Sequence, residues 1–245
     1  MDVTTHMSEE KERSPFTRIF DSSIGRKLIM AVTGLLMLGF VIAHLLGNLQ
    51  LFLGWDAFNA YAKGLQDLPQ LIWPARIGLL AITVLHIVTA VRLRKSNSSA
   101  RPVKYSHANT IQASTASLYM VETGIVILLF IIVHLLHFTF HAFDPGYAHL
   151  LDPKGRHDVY TMVVRGFQNP LYAGSYIIAM ALIGMHLSHG ISSAFHTLGF
   201  YDRYFTPRLK MISIAVGYGI AVGYIAIPAA VQFGLIGLRS GGVSL

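Results

Sequence analysis

Five long apolar runs constrain this chain more than any other feature. They cover about 28–49, 71–92, 118–140, 171–198 and 211–235. At 1.5 Å per residue, each is long enough to cross a hydrocarbon core of about 30 Å as a helix. In lipid every backbone N–H and C=O needs a partner within its own segment, so such runs fold as helices and not as open sheet. The expected architecture is an all-α membrane protein with five transmembrane helices in a bundle. The composition agrees, with 53% hydrophobic and 13% charged residues. No cysteine is present, which excludes disulfides, cysteine-ligated iron–sulfur clusters and thioether-attached haem.

A net charge of +7 raises the question of nucleic acid, but the basic residues gather at the ends of the apolar runs. Thirteen of the 19 lie on one side: Lys11, Arg13, Arg18, Arg26, Lys27, Arg92, Arg94, Lys95, Arg101, Lys104, Arg203, Arg208 and Lys210. That bias is a topology signal, not a nucleic-acid surface, and it puts the N-terminus in the cytoplasm and the C-terminus outside. Residues 1–14 are polar and read as a flexible cytoplasmic arm, with no likeness to a cleaved signal peptide. Residues 15–238 form the transmembrane domain and 239–245 a tail. Ser96 to Ser99 reads as a cytoplasmic turn. The outer connection from Ala142 to Pro170 is turn-rich, and within it Val159 to Phe167 is amphipathic enough to lie along the surface as a short helix; a loose tether is the alternative.

Histidines inside the spans carry the chemistry, because an ionisable group in lipid is costly without a partner or a function. His44 follows Lys27 by 17 residues, and His134 follows Ser117 by the same number, so each stands about 25 Å above the cytoplasmic edge. His86 precedes Arg92 by six residues and stands about 9 Å from that edge; His186 lies in the cytoplasmic half of a descending helix. Two histidines are high, two are low, and each pair draws on two helices. That pattern suits two haems b with bis-histidine ligation, since neutral imidazole is an axial ligand and helical bundles build cofactor sites from facing helices. With both axial positions filled, such an iron transfers electrons and does not activate oxygen. A single buried histidine is more often a hydrogen-bonded core residue; the argument is the four together. His137, His189, His141 and His196 are further candidates, with His137 at the outer edge and His189 one turn from His186. A metal transporter would add intramembrane acids, and Glu122 is the one clear acid within a span.

Several segments bear a family likeness: His186-Leu-Ser-His-Gly-Ile-Ser-Ser-Ala-Phe-His-Thr-Leu-Gly199, His44-Leu-Leu-Gly-Asn48, Phe167-Gln-Asn-Pro170, and Thr123-Gly124 ten residues ahead of His134. Through them the chain, from about Phe16 to Leu238, resembles the single-chain dihaem cytochrome b membrane anchor of succinate:quinone oxidoreductases. The resemblance implies His44 and His134 as ligands of the distal haem, and His86 and His186 of the proximal one. It implies partners on the cytoplasmic side, a flavoprotein that interconverts succinate and fumarate and an iron–sulfur subunit. Electrons would pass between them and a membrane quinone, with menaquinone favoured over ubiquinone. The dicarboxylate chemistry would lie on the partners, and the location would be a bacterial cytoplasmic membrane.

A quinone needs an apolar slot and a hydrogen bond at each carbonyl. Asp67, Gln66 and Trp73 are candidates on the outer side, and Ser22, Ser23 and Arg26 on the cytoplasmic side, each equally readable as an interfacial cap or anchor. Arg26, Lys27, Arg92 and His189 are candidate propionate partners. Two other functional readings stay open at this point: a dihaem anchor for another quinone-linked dehydrogenase, of hydrogenase or formate dehydrogenase type, and a transporter without a redox cofactor.

Overall fold

The computed structural model describes Phe20, residues 22–99 and residues 115–238; the arm 1–14 and the tail 239–245 lie outside them. Among these residues eight α-helices follow in order: α1 (Ser23–Leu49), α2 (Trp55–Gln66), α3 (Pro69–Ser99), α4 (Thr115–Leu118), α5 (Met120–Phe138), α6 (Val159–Gln168), α7 (Pro170–Thr197) and α8 (Phe205–Gln232). No strand occurs among the described residues, only an isolated bridge between Leu151 and His157. Five helices (α1, α3, α5, α7 and α8) are long and apolar enough to cross a membrane, the first continuing through a 3-10 turn to Leu53. This is the architecture of a multi-pass membrane protein.

The helix ends follow local chemistry. Ser22 caps α1 by accepting the Gly25 N–H at 2.9 Å. Gly54, at φ 94°, turns the chain from α1 into α2, in the left-handed region that favours glycine. The Phe167-Gln-Asn-Pro170 segment is a joint between two helices. Asn169 caps α7 by accepting the Leu171 N–H at 2.9 Å, Pro170 takes the first helical position, and the Phe167 carbonyl accepts from Gln232 Nε2 at 2.5 Å.

Two sequence expectations are corrected. Ser96 to Ser99 is the last turn of α3, not a cytoplasmic turn. No proline or glycine interrupts the chain from Leu79 to Ser99, so nothing stops the helix when it runs beyond the apolar run. The helix over Val159–Gln168 exists, but it does not lie along a surface. Tyr160 to Val164, Gly166 and Phe167 are all buried, and α6 packs on α2, α7 and α8. It closes the end of the structure where α1 finishes, called here the upper end. The loose-tether alternative falls with it.

The clamp on that end is polar and fully paired. Asn59 on α2 donates to Asp158 Oδ1 at 2.9 Å and Asp152 Oδ2 at 3.2 Å, and its carbonyl accepts from the Tyr160 N–H at 2.9 Å. Burial by itself would raise the Asp152 carboxyl. The Arg156 guanidinium, the Arg156 and Lys154 backbone N–H groups and Asn59 hold it below the ordinary carboxylate value.

α7 and α8 form the tightest helix pair. A Cβ built on Gly217 would stand 2.7 Å from Ser188 N and 2.9 Å from the Gly184 carbonyl oxygen, so the two backbones touch through small residues. α3 packs on α1 and on α2, while α5 packs on α7. α1 also lies on α7 and α8; α1 with α3 is called here one half of the fold, and α5 with α7 and α8 the other.

Candidate cofactor site

Each half contributes one histidine to each of two levels. At the upper level the His44 and His134 rings face one another edge to face, with centroids 5.9 Å apart and planes at 79°. His44 stacks on Phe40 at 5.4 Å and 12°, and His134 on Phe130 at 5.7 Å and 26°. In both cases the phenyl ring stands four residues earlier, on the same helix face. The Tyr224 ring flanks His44 at 6.2 Å, and the Tyr176 hydroxyl lies 3.4 Å from His134 Nδ1.

At the lower level the two imidazoles are held by hydroxyls. His86 Nδ1 lies 3.0 Å from Thr33 Oγ1, and His186 Nδ1 lies 3.1 Å from Thr123 Oγ1. His86 stands on α3 and His186 on α7. Thr33 and Thr123 lie 11 residues before His44 and His134, which sets the two levels about 16 Å apart along the helices.

The structure separates His134 from His137. His137 is fully buried, stacked on Phe138 at 3.9 Å, with Nδ1 3.3 Å from the Tyr176 hydroxyl. Its Nε2 has no partner, and a Cβ on Gly166 would stand 3.1 Å from it. Backbone of α6 thus walls off that nitrogen. His44, His86, His134 and His186 each keep part of their surface accessible, although each sits deep within its span.

The remaining candidates are dispersed. Asp67 ends α2 and pairs with Lys63, both exposed; Gln66 is exposed beside it; Trp73 is exposed under the Arg76 guanidinium at 5.4 Å. Ser22 is the α1 cap, Ser23 is exposed, and Arg26 Nε donates to the Ser22 carbonyl at 3.3 Å. Lys27 is exposed, and Arg92 lies 4.4 Å over the Phe20 ring. His189 is half-buried on α7, one turn after His186. His141, at φ 53°, lies beyond α5 beside His157, with ring centroids 5.9 Å apart. Burial and the neighbouring His157 lower its affinity for a proton.

Among the described residues no cluster of three or more His, Cys, Asp or Glu side chains is arranged to hold a metal ion. The histidines come in twos. A bare metal ion held by protein alone takes about four ligands, whereas a haem brings its four equatorial nitrogens and asks the protein for one or two axial ones. Two imidazoles at each level equal the number of axial donors that a haem can take from a protein.

Reading residues singly overlooked Thr33, Phe40, Phe130 and Tyr176. The signal for three of them was present, as an internal repeat at a spacing of 90 residues. Thr33-Gly34, Phe40 and His44-Leu-Leu46 recur in register as Thr123-Gly124, Phe130 and His134-Leu-Leu136. Comparison with protein-family models, with curated proteins and with solved structures finds no match to this chain.

Proposed function

We propose that this chain is the membrane anchor and electron-transfer subunit of a succinate:quinone oxidoreductase, holding two haems b between the two halves of its fold. The observation that carries the haem reading is the set of two histidine pairs, one member from each half, standing at two levels within apolar helices. His44 and His134 would hold the upper haem, and His86 and His186 the lower. Bound there, the haems supply reversible one-electron chemistry between an iron–sulfur partner on the cytoplasmic face and a membrane quinone.

The chain's own part is to hold neutral imidazoles, exclude water and set the spacing of the two levels. The choice of succinate and fumarate rests on the likeness of the His186–Gly199 and Phe167–Pro170 segments, and the dicarboxylate chemistry would belong to a flavoprotein partner. Arg26, Lys27 and Arg92 are the candidates for the propionates of the lower haem. A quinone near Asp67, Gln66 and Trp73 would meet an exposed rim beside the upper level.

The test is a dithionite-reduced minus oxidised spectrum with pyridine haemochrome quantification, on the purified membrane protein and on His186→Ala. Two haems b per chain, falling toward one in the variant, are expected. No haem absorbance in the wild type would overturn the redox reading. Co-purification with flavin and iron–sulfur subunits, and succinate-dependent quinone reduction, decides the partner; a haem-bearing chain that purifies with a different dehydrogenase would overturn the succinate assignment.

A further inference from the structure

We infer that Thr33 and Thr123 are matched positioning residues. Each fixes, from the neighbouring helix, the tautomer and ring orientation of one lower-level histidine and so tunes the iron those histidines hold. The assignment of iron rests on the function proposed above; the geometry of the brace does not.

A threonine hydroxyl has one hydrogen. Thr33 directs it to the Ile29 carbonyl at 2.7 Å, and Thr123 to the Tyr119 carbonyl at 2.8 Å, each one turn back on its own helix. With that hydrogen committed, Oγ1 meets the imidazole only as an acceptor. On that reading the contacts at 3.0 Å to His86 and 3.1 Å to His186 are Nδ1–H donating to Oγ1. A neutral imidazole with its proton on Nδ1 leaves Nε2 bare, which is the atom a metal takes.

The following glycine completes the brace. A Cβ on Gly34 would stand 3.4 Å from His86 Cε1, and one on Gly124 3.7 Å from His186 Cε1. In both halves the imidazole lies against the backbone just past the threonine. Coincidence is a poor account of this agreement, because the same donor, acceptor, carbonyl and glycine recur in two helices 90 residues apart. The upper-level histidines lie against Phe40 and Phe130 instead, and the hydrogen-bond contact of His134 is with the Tyr176 hydroxyl. The repeat thus builds one site with two threonine-braced ligands and one site without them.

An Nδ1–H that donates to oxygen pushes electron density toward Nε2 and favours the more highly charged iron. Removing the acceptor should raise the reduction potential of the lower haem and leave the upper one where it was. The experiment is an optical redox titration and a low-spin electron paramagnetic resonance spectrum of the purified full chain with its partners. It compares wild type, Thr33→Val, Thr123→Val, the corresponding alanine variants and Thr→Ser at each site. Valine keeps the shape and removes the acceptor; alanine serves if valine lowers the yield.

Two haems in every variant are expected. One potential should shift upward in each valine or alanine variant, further in the double variant, with a moved low-field signal for that haem alone and restoration by serine. Two haems whose potentials and signals are unmoved, or both moved equally, would overturn the threonine assignment and leave the functional reading intact. A wild-type chain without haem would overturn the functional reading, and the ligand-tuning role with it.

Discussion

The choice between His134 and His137 gives a prediction whose size can be worked from the packing. Consider His137→Leu. The change removes a stack on Phe138 at 3.9 Å, worth about 0.5–1.5 kcal/mol. It also removes a long contact to the Tyr176 hydroxyl at 3.3 Å, worth at most about 1 kcal/mol, and Tyr176 keeps its contact with His134. Against those losses, a buried Nε2 without a partner disappears, and such a group costs about 1–3 kcal/mol. Leucine fills a similar volume, so the net change should fall within about 2 kcal/mol of zero. That is small beside a typical stability of about 5–15 kcal/mol. The variant should fold and retain two haems by pyridine haemochrome, with a melting profile in detergent close to wild type. His134→Leu should instead fall to one haem. One haem in His137→Leu together with two in His134→Leu would refute the reasoning and give the iron to the buried histidine.

Three further outcomes follow from the same structure. Gly217→Ala drives a Cβ into the Ser188 and Gly184 backbones, which cannot yield as a side chain does, and should cost about 1–3 kcal/mol or more; Gly219→Ala, with nothing within 4 Å, should be neutral or slightly stabilising in the same thermal scan. Asn59→Ala deprives two buried carboxylates and the Tyr160 N–H of a partner and should cost about 3 kcal/mol, seen as faster proteolysis between 142 and 158. The Asp152 carboxyl is held below its ordinary value in the fold, so its contribution is complete above the unfolded-state value and is lost as pH falls through the depressed one. Proteolysis of that loop should be unchanged from neutral pH down to the ordinary carboxylate range and accelerate only below it, and Asp152→Asn should flatten that acid dependence.

Much of this was legible in the chain itself, for reasons that differ by residue. The five spans declare themselves because a membrane helix must be apolar all round for its whole length. The amphipathic pattern of 159–168 announces a helix, but amphipathicity does not say what the apolar face meets. Lipid headgroups and the protein's own upper end are equivalent to it, and the structure puts it against α2, α7 and α8. The end of α3 at Ser99 was misread because serine and asparagine weaken a helix without stopping it. Thr33 was overlooked because a threonine inside an apolar run looks like filler until its match at Thr123 is noticed.

The sequence by itself determined position along each span. Helical rise is constant, so residue counts place His44 with His134 and His86 with His186 in height without any knowledge of neighbours. Only the tertiary structure decided what each imidazole faces. The angle of a side chain about its helix axis has meaning only relative to the helix packed against it, and that packing depends on small residues such as Gly184 and Gly217. From it come the burial of His137 behind Gly166, the meeting of His44 with His134, and the two threonine hydroxyls within hydrogen-bond reach of Nδ1 on His86 and His186.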